Sequence, residues 1–576
     1  MKKLLALLLA VVMVLALVAC APVEDPKNTT AATTPNKTDA PTTTEDVGVE
    51  FPLKEEMTIV LCASPRGSCT NPNLALANNK LWQKLYEATN VKIEFLECQS
   101  IETLNAMMNV GQYGDIIMLN GMSGSNEAAL SDLINNGKLM PLEEYVTNEK
   151  IMPNFVERVL GVEKYALSSF TSPDGHLYVM GSHNEDDSNY LESSLWINKT
   201  WLEDADMTLE DVATIEGLEK FFDWVAKNDA NGNGDTTDEL PFLCYQMGSN
   251  FIEALLGMWG IPTKDQTNEG YIFLEDGEVK FAPLTENWVD FMTTMKKWFD
   301  NGWAYKDYLL GHDGDGKPLY EYRQNTYVRD NGEPERIAFW AGTGAPARNA
   351  GTKLPGVEMC EYVSILPPKV EGYETRWYLH PGGLGLKGNF AISANCENPE
   401  IALAWMDQFY SLEVYCAQTM GDEDSPYHGV DAEGKLFAVS VTNDIQAEII
   451  NTDKNVLNQV FAGWPTAITL EDYETTLATT AAIAKKRAAL ELYKDVINTE
   501  VWSRPYYTKE DSATLSETFG EVALVVKQYR ADVLTGKKNL TTDYEQFKKD
   551  LETARLDELL EVMQNAHDVY LDALPE

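Results

Sequence analysis

The chain is poor in the residue patterns on which most enzyme assignments rest. Its 576 residues include only six histidines, and no H-E-x-x-H or related pair occurs, so a zinc hydrolase has little support. Of eight cysteines none forms a C-x-x-C pair. Cys62, Cys69, Cys98, Cys244, Cys360, Cys396 and Cys416 are odd in number and widely spaced, which indicates neither a disulfide framework nor a zinc cluster. They are expected as small buried apolar residues. G-x-S-x-G and P-loop signatures are missing. The one G-x-G-x-x-G, at Gly383, Gly385 and Gly388, runs into a strand-like stretch instead of a helix start, so no phosphate cradle is read there. Basic charge is scarce: 45 Lys and Arg stand against 90 Asp and Glu, a net charge of -45. Phosphate backbones are therefore poor partners, and nucleic acid binding is not expected. Beyond Val18 no long apolar run recurs, so the body is not read as membrane-spanning.

What is present begins at the amino end. Met1-Lys2-Lys3 precedes an apolar segment, Leu4 to Val18, that is too short for a comfortable span and reads as an export signal peptide. Leu17-Val18-Ala19-Cys20 resembles the lipobox of bacterial lipoproteins. The resemblance implies that residues 1–19 are removed and that an acylated Cys20, carrying palmitate-type chains, becomes the first mature residue. One acyl chain holds a protein marginally at about 0.8 kcal/mol per buried methylene, whereas two or three make a durable anchor. The alternative is an ordinary secretory signal with a chance cysteine. Residues 20–50 are rich in Thr, Pro and Asp with no periodic apolar face, and are expected to form an extended tether. Together these features place the protein on the extracellular face of a cell membrane.

In the body, "MTIVLCA" at Met57 reads as a buried strand, the stretch after Asn79 as a helix carrying Leu81, Trp82, Leu85 and Tyr86, and "VKIEFLE" at Val91 as an alternating strand. A second helix bearing Leu104, Met107 and Met108 leads to the apolar "GDIIMLN". This alternation predicts an α/β fold with a parallel sheet covered by helices on both faces. Ligands of such sheets meet loops at the carboxyl ends of strands, which nominates Asn120 and Ser123 unless they are plain loop residues. "LWQKLYEATNVKIEF", "LNAMMNVGQYGDIIML", "LWINKTWLEDADM", "IAFWAGTG" and "NCENPEIALAWMDQFYS", in that order, resemble the extracellular solute-binding proteins of ABC importers, family 1, in their long oligosaccharide-binding branch. The resemblance implies two discontinuous lobes, a hinge, an interlobe cleft and a helix-rich C-terminal part. Approximate bounds are 51–165 with 336–430 for lobe one and 166–335 with 431–576 for lobe two. It also implies a monomer that captures a carbohydrate and delivers it to membrane permease subunits, without catalysis. Capture of peptides or another solute is the nearest alternative, and a surface glycoside hydrolase a more distant one, since it needs two carboxylates at a set separation.

"NDANGNGDTTDELPF", from Asn228, is the sharpest local motif. Asp229, Asn231 and Asn233 alternate before Gly234, as in the first half of an EF-hand loop, where every second side chain can turn an oxygen toward one hard cation. The expected calcium ligands are Asp229, Asn231, Asn233, Asp235 through its backbone oxygen, Asp238 and Glu239. Leu240 occupies the place of the usual twelfth-position glutamate, and a metal-free polar turn is the alternative. For the solute, aromatic faces that could cover sugar C–H patches are sought beside turns. Trp340 and Trp377 come first, followed by Trp259, Tyr378, Tyr427 and Trp464, although each is equally a normal core residue.

Overall fold

The structure is a computed structural model that describes residues 48–66, 69, 71–123, 127–162, 167, 171–189, 191, 194–243, 252–262, 271–304, 336–342, 360–379, 383–384, 388–421, 428–430, 436–438, 457–461, 463–477, 481–500, 502 and 505–573. Cys20, Cys244 and Tyr427 lie outside the described residues.

β1 (Met57–Ala63), β2 (Val91–Glu97) and β3 (Ile116–Met118) begin the first lobe. β1 pairs in parallel with both others. The Lys80–Thr89 helix between β1 and β2 starts where Asn79 accepts the Trp82 N–H at 2.9 Å, a side-chain cap. It ends at Asn90 in the left-handed region, with φ 57°. Its Leu81 and Leu85 are buried, as their spacing on one face requires.

β4 (Val179–Met180), β5 (His183–Asn184), β6 (Ser194–Asn198), β7 (Leu240–Leu243), the hairpin β8 (Ile272–Glu275) and β9 (Glu278–Phe281), β10 (Ile337–Gly342), β11 (Tyr362–Ile365), β12 (Gly383–Leu384), β13 (Phe390–Ile392), β14 (His428–Val430), β15 (Leu436–Ala438) and β16 (Ala467–Ile468) follow. The first sheet has the order β2-β1-β3-β13-β4. It is mixed, which corrects the all-parallel expectation, because β13 runs antiparallel to both β3 and β4. β13 reaches the sheet after a long excursion of chain, and so escapes the right-handed crossover that makes successive strands parallel. The second sheet, β11-β6-β10-β7, is also mixed.

Two separate apolar cores result. One gathers Ile59 to Met180, Phe390 to Tyr410 and Leu457 to Ala467. The other gathers Leu191 to Ile365, Trp377 and Ala489 to Ala566. The chain therefore passes between lobes at points other than those read from sequence. β10 and β11, assigned with 336–430 to lobe one, pair in the second sheet instead. Segment 457–467, assigned to lobe two, packs in the first core. A third sheet, β12-β5-β16, joins three of the passing segments edge to edge, with β12 antiparallel and β16 parallel to β5.

The C-terminal part is helical, as expected, with helices at Ala481–Tyr493, Lys509–Leu534, Tyr544–Thr553 and Leu556–Ala573. The last two are separated at Arg555, whose φ of 64° ends the helical path. The Pro399–Asp407 helix begins with Pro399 in its first turn, and the Asn398 side chain makes no capping bond. Among the described residues no helix is long and apolar enough to cross a membrane.

Candidate functional site

At the carboxyl ends of β1, β2 and β3 the sheet gathers several polar groups. Asn120 follows β3 and is half-buried, while Ser123 is exposed. Ser123 is tied to the end of β2: its N–H donates to Gln99 O at 2.9 Å, and its carbonyl accepts from Ile101 N–H at 3.0 Å. The Ser64 hydroxyl, just past β1, donates to Gln99 Oε1 at 3.2 Å. The short Leu457–Val460 helix ahead of β16 closes this edge, with Arg66 N–H donating to Val460 O at 2.9 Å. Gly463 sits against Asn120 so closely that a Cβ there would lie 2.3 Å from Asn120 Cβ. The two nominated loop residues thus share one edge, though they do not touch each other through any described bond.

Asn389, which the sequence reading missed, holds this edge together. Its backbone O accepts from Leu119 N–H at 2.8 Å and Asn120 N–H at 3.3 Å. Its Nδ2 donates to Gly463 O at 2.9 Å. The residue is 2% exposed, and among the described residues its Oδ1 has no partner. An Asn inside an apolar run was the available signal, but its neighbours Gly463 and Asn120 are remote in sequence.

The aromatic candidates are placed differently. Trp340, Trp259 and Trp377 are 1%, 1% and 2% exposed in the second core. Trp340 lies in β10 opposite Trp196 of β6. Trp259 meets Phe291 edge-on at 5.2 Å, and Trp377 meets Tyr493 at 5.4 Å. Tyr378 is 8% exposed. Trp464, at 3%, stacks on Phe409 at 4.4 Å and meets Trp82 at 6.0 Å. The four tryptophan rings pack within the two cores, which is what burial of large apolar area favours. All five described turn-adjacent candidates are buried. Turn proximity reports the backbone, whereas the direction of a side chain is set by its sheet or helix face.

The acidic loop lies between the Ile215–Val225 helix and β7. Gly232 and Gly234 take φ of 72° and 89°, the left-handed turns that let alternate side chains converge. Asp229 accepts from Asn233 N–H at 3.0 Å and Gly234 N–H at 2.7 Å. Asn231 and Asn233 donate to the two oxygens of Asp238, at 3.2 and 3.0 Å. Asp235 turns its carboxylate onto Thr237. Glu239 Oε1 accepts from Asn231 N–H at 3.3 Å, and burial pushes the Glu239 carboxyl above its ordinary range. Its other oxygen, Oε2, is buried with no partner among the described residues. A buried, unpaired carboxylate oxygen beside two further acids is an unfavourable arrangement that a cation would relieve. One positive group is already near: Arg336 Nε lies 3.4 Å from Asp238 Oδ2. Among the described residues no group of three or more His, Cys, Asp or Glu stands gathered as a metal set, so a cation here would depend on amide and backbone oxygens as well.

Two lobes with separate cores, segments that pass between them, and polar groups at strand ends define the class: this is the two-lobe fold of extracellular solute-binding proteins. No family model matches the chain. In sequence it is 24% identical over 543 residues, 91% of this chain and 92% of the relative, to the fructooligosaccharide ABC transporter substrate-binding protein FusA of Streptococcus pneumoniae. The structure of FusA in complex with kestose superposes with a TM-score of 0.69 at 20% identity, covering 89% of this chain and 99% of that one. An EF-hand mutant of FusA with fructo-nystose gives 0.68 at 19% identity, with the same coverage. An HMO-binding solute-binding protein from Bifidobacterium longum infantis gives 0.70 at 17%, again covering 89% and 99%.

Proposed function

We propose that the protein is the carbohydrate-capturing subunit of an ABC importer, held outside the cell by acyl chains on Cys20, and that it passes an oligosaccharide to permease subunits without altering it. The observation that carries this reading is end-to-end similarity to a fructooligosaccharide-binding relative across 91% of this chain and 92% of that one. The β1–β3 carboxyl edge, with Asn120, Ser123 and the unpartnered Asn389 Oδ1, supplies the polar part of the sugar contact. The five described aromatic candidates are buried, so aromatic faces for the sugar are sought first at Tyr427, which lies outside the described residues.

Kestose and fructo-nystose are the first solutes to test, against maltotriose and a tripeptide pool. At one hundred times the dissociation constant a ligand that binds only the folded state adds about 2.7 kcal/mol. For a chain of this size that is a rise of several degrees in Tm. Stabilisation by a fructan with no released monosaccharide on chromatography supports capture. Stabilisation by peptides alone would move the assignment to another solute, and liberated sugar would make the protein a hydrolase. Intact-mass analysis of the native protein checks the anchor: a mature chain without acyl mass on Cys20 removes it.

The acidic loop is read as a structural calcium site. Asp229, Asn231, Asn233, Asp238 and Glu239 would hold the ion with the Asp235 carbonyl, and a bound cation would neutralise the loop's carboxylates. Calcium titrated into EDTA-treated protein should release heat and raise Tm, and Glu239→Ala should abolish both. A wild-type protein indifferent to calcium removes the ion from this account.

A further inference from the structure

Six Asn-Gly pairs occur in the chain, at Asn120, Asn136, Asn231, Asn233, Asn301 and Asn331. Asparagine is thermolabile, most of all before glycine, where no β-carbon screens the next main-chain nitrogen from the side-chain carbonyl carbon. A folded chain suppresses the reaction wherever either group is already held. Asn331 lies outside the described residues, and four of the other five pairs are held. Gly137 N–H donates to Ile134 O at 2.9 Å and Gly302 N–H to Phe299 O at 3.1 Å. Gly234 N–H donates to Asp229 Oδ2 at 2.7 Å. The Asn231 amide is fixed at both ends, its Oδ1 accepting from Asn233 N–H at 3.0 Å and its Nδ2 donating to Asp238 Oδ1 at 3.2 Å. Asn120 and Gly121, just past β3, differ from all four. Among the described residues neither the Asn120 side-chain amide nor the Gly121 N–H makes a hydrogen bond. Gly121 is exposed with φ 97°, and Asn120 is half-buried.

We propose that Asn120 is a site of spontaneous covalent modification, deamidating through a cyclic imide with Gly121, and that the change switches off the candidate sugar edge. The Gly121 nitrogen, giving up its proton, forms a bond to Asn120 Cγ. The Asn120 Cγ–Nδ2 bond then breaks, and the nitrogen leaves with that proton as ammonia. Water opens the five-membered imide at one of its two carbonyls. Opening at the main-chain carbonyl leaves an isoaspartyl link that runs through the β-carbon, whereas opening at the side-chain carbonyl leaves an ordinary aspartyl residue. Nothing is oxidised or reduced, and solvent supplies the only co-reactant. Either product replaces an amide that both donates and accepts with a carboxylate that only accepts. It also adds a negative charge to an edge that already carries the exposed Glu97. The isoaspartyl form lengthens the main chain by one carbon beside Gly463, where even a Cβ would lie 2.5 Å from Asn120 Cγ. The choice of site stands on these bonds alone, and its effect on capture rests on the reading of this edge given above.

The test ages the wild-type full chain at 37 °C and pH 7.4, folded and, in parallel, in urea, and follows each asparagine by tandem mass spectrometry of peptides cut at mildly acid pH. Isoaspartyl content is read separately with an isoaspartate methyltransferase and labelled methyl donor. In the folded sample Asn120 should gain the mass difference between an amide and an acid at least tenfold faster than Asn136, Asn231, Asn233 or Asn301, and in urea the rates should converge. An Asn120 that keeps its amide in the folded protein while the urea sample reacts, or that reacts no faster than the other four, overturns the proposal. The aged protein is then resolved by anion exchange, with Asn120→Asp as the standard for the aspartyl product. Kestose, fructo-nystose and maltotriose are titrated into the unmodified and the singly modified fractions. At least a tenfold loss of affinity on modification is expected, and equal affinity would reject the effect on capture. An unmodified fraction that binds none of the three would instead reject the importer reading and leave the mapped site standing.

Discussion

Asp407 shows how a single side chain carries both packing and pH response. It is 0% exposed in the first core, and it accepts from Asn154 N–H at 3.0 Å, Asn154 Nδ2 at 2.8 Å and Phe155 N–H at 2.8 Å. These bonds anchor the start of the short Pro153–Phe155 helix, whose N–H groups lack helical partners. Burial outweighs them and raises the carboxyl from 3.8 to about 6. A folded value above the unfolded one means that the native state keeps its proton longer. The contribution is thus fully present below pH 3.8 and is lost as pH rises to about 6. Its size is up to about 3 kcal/mol. Urea midpoints at pH 4.5 and 6.5 should therefore fall more in the wild type than in Asp407→Asn, and identical slopes would show that Asp407 does not titrate in this window. Nothing near Asp407 in sequence announces this role, since its partners lie more than 250 positions away.

At the scale of elements, local chemistry was legible and pairing was not. β1 and β2 occupy the spans read for them from the apolar run and the alternation, and Asn79, Thr214 and Ser100 cap helices with side-chain bonds. The antiparallel insertion of β13 was hidden because strand direction depends on the path of the intervening chain. The turn at Gly463 is similar. Its φ of 79° favours glycine, and only the folded chain shows Asn120 filling the space a side chain would need. Gly463→Ala is expected to cost about 1–3 kcal/mol while keeping the circular dichroism spectrum. It should also weaken carbohydrate binding by pushing Asn120 aside. Asn120→Ala separates the two effects: it should leave Tm nearly unchanged and lower affinity at least tenfold. Full affinity in Asn120→Ala would remove this edge from the sugar site.

At the scale of the whole molecule the distinctive feature is two cores joined by β5, β12 and β16. Short strands that pass between lobes and pair with one another can bend together while each core stays packed. A ligand that contacts both lobes only when they approach would shift the population toward the closed form. Small-angle scattering should give a smaller radius of gyration with a saturating bound oligosaccharide than without sugar, whereas calcium alone should leave it constant. Superimposable curves with a bound sugar would rule out closure. Tyr507 adds a fixed point between the lobes, its N–H donating to Ser131 Oγ at 2.9 Å and its O accepting from Asn135 Nδ2 at 3.2 Å.

The sequence by itself determined the strands and helices that begin each lobe, the acidic loop with its alternating oxygens, and the expectation of an exported two-lobe protein. These are properties of residues close together in the chain, where spacing fixes which side chains share a face. The tertiary structure decided the rest: which segments belong to which lobe, that the five described aromatic candidates are buried, and that Asn389 closes the candidate edge. Such contacts depend on sheet order and register between distant segments, and neither composition nor periodicity encodes them locally.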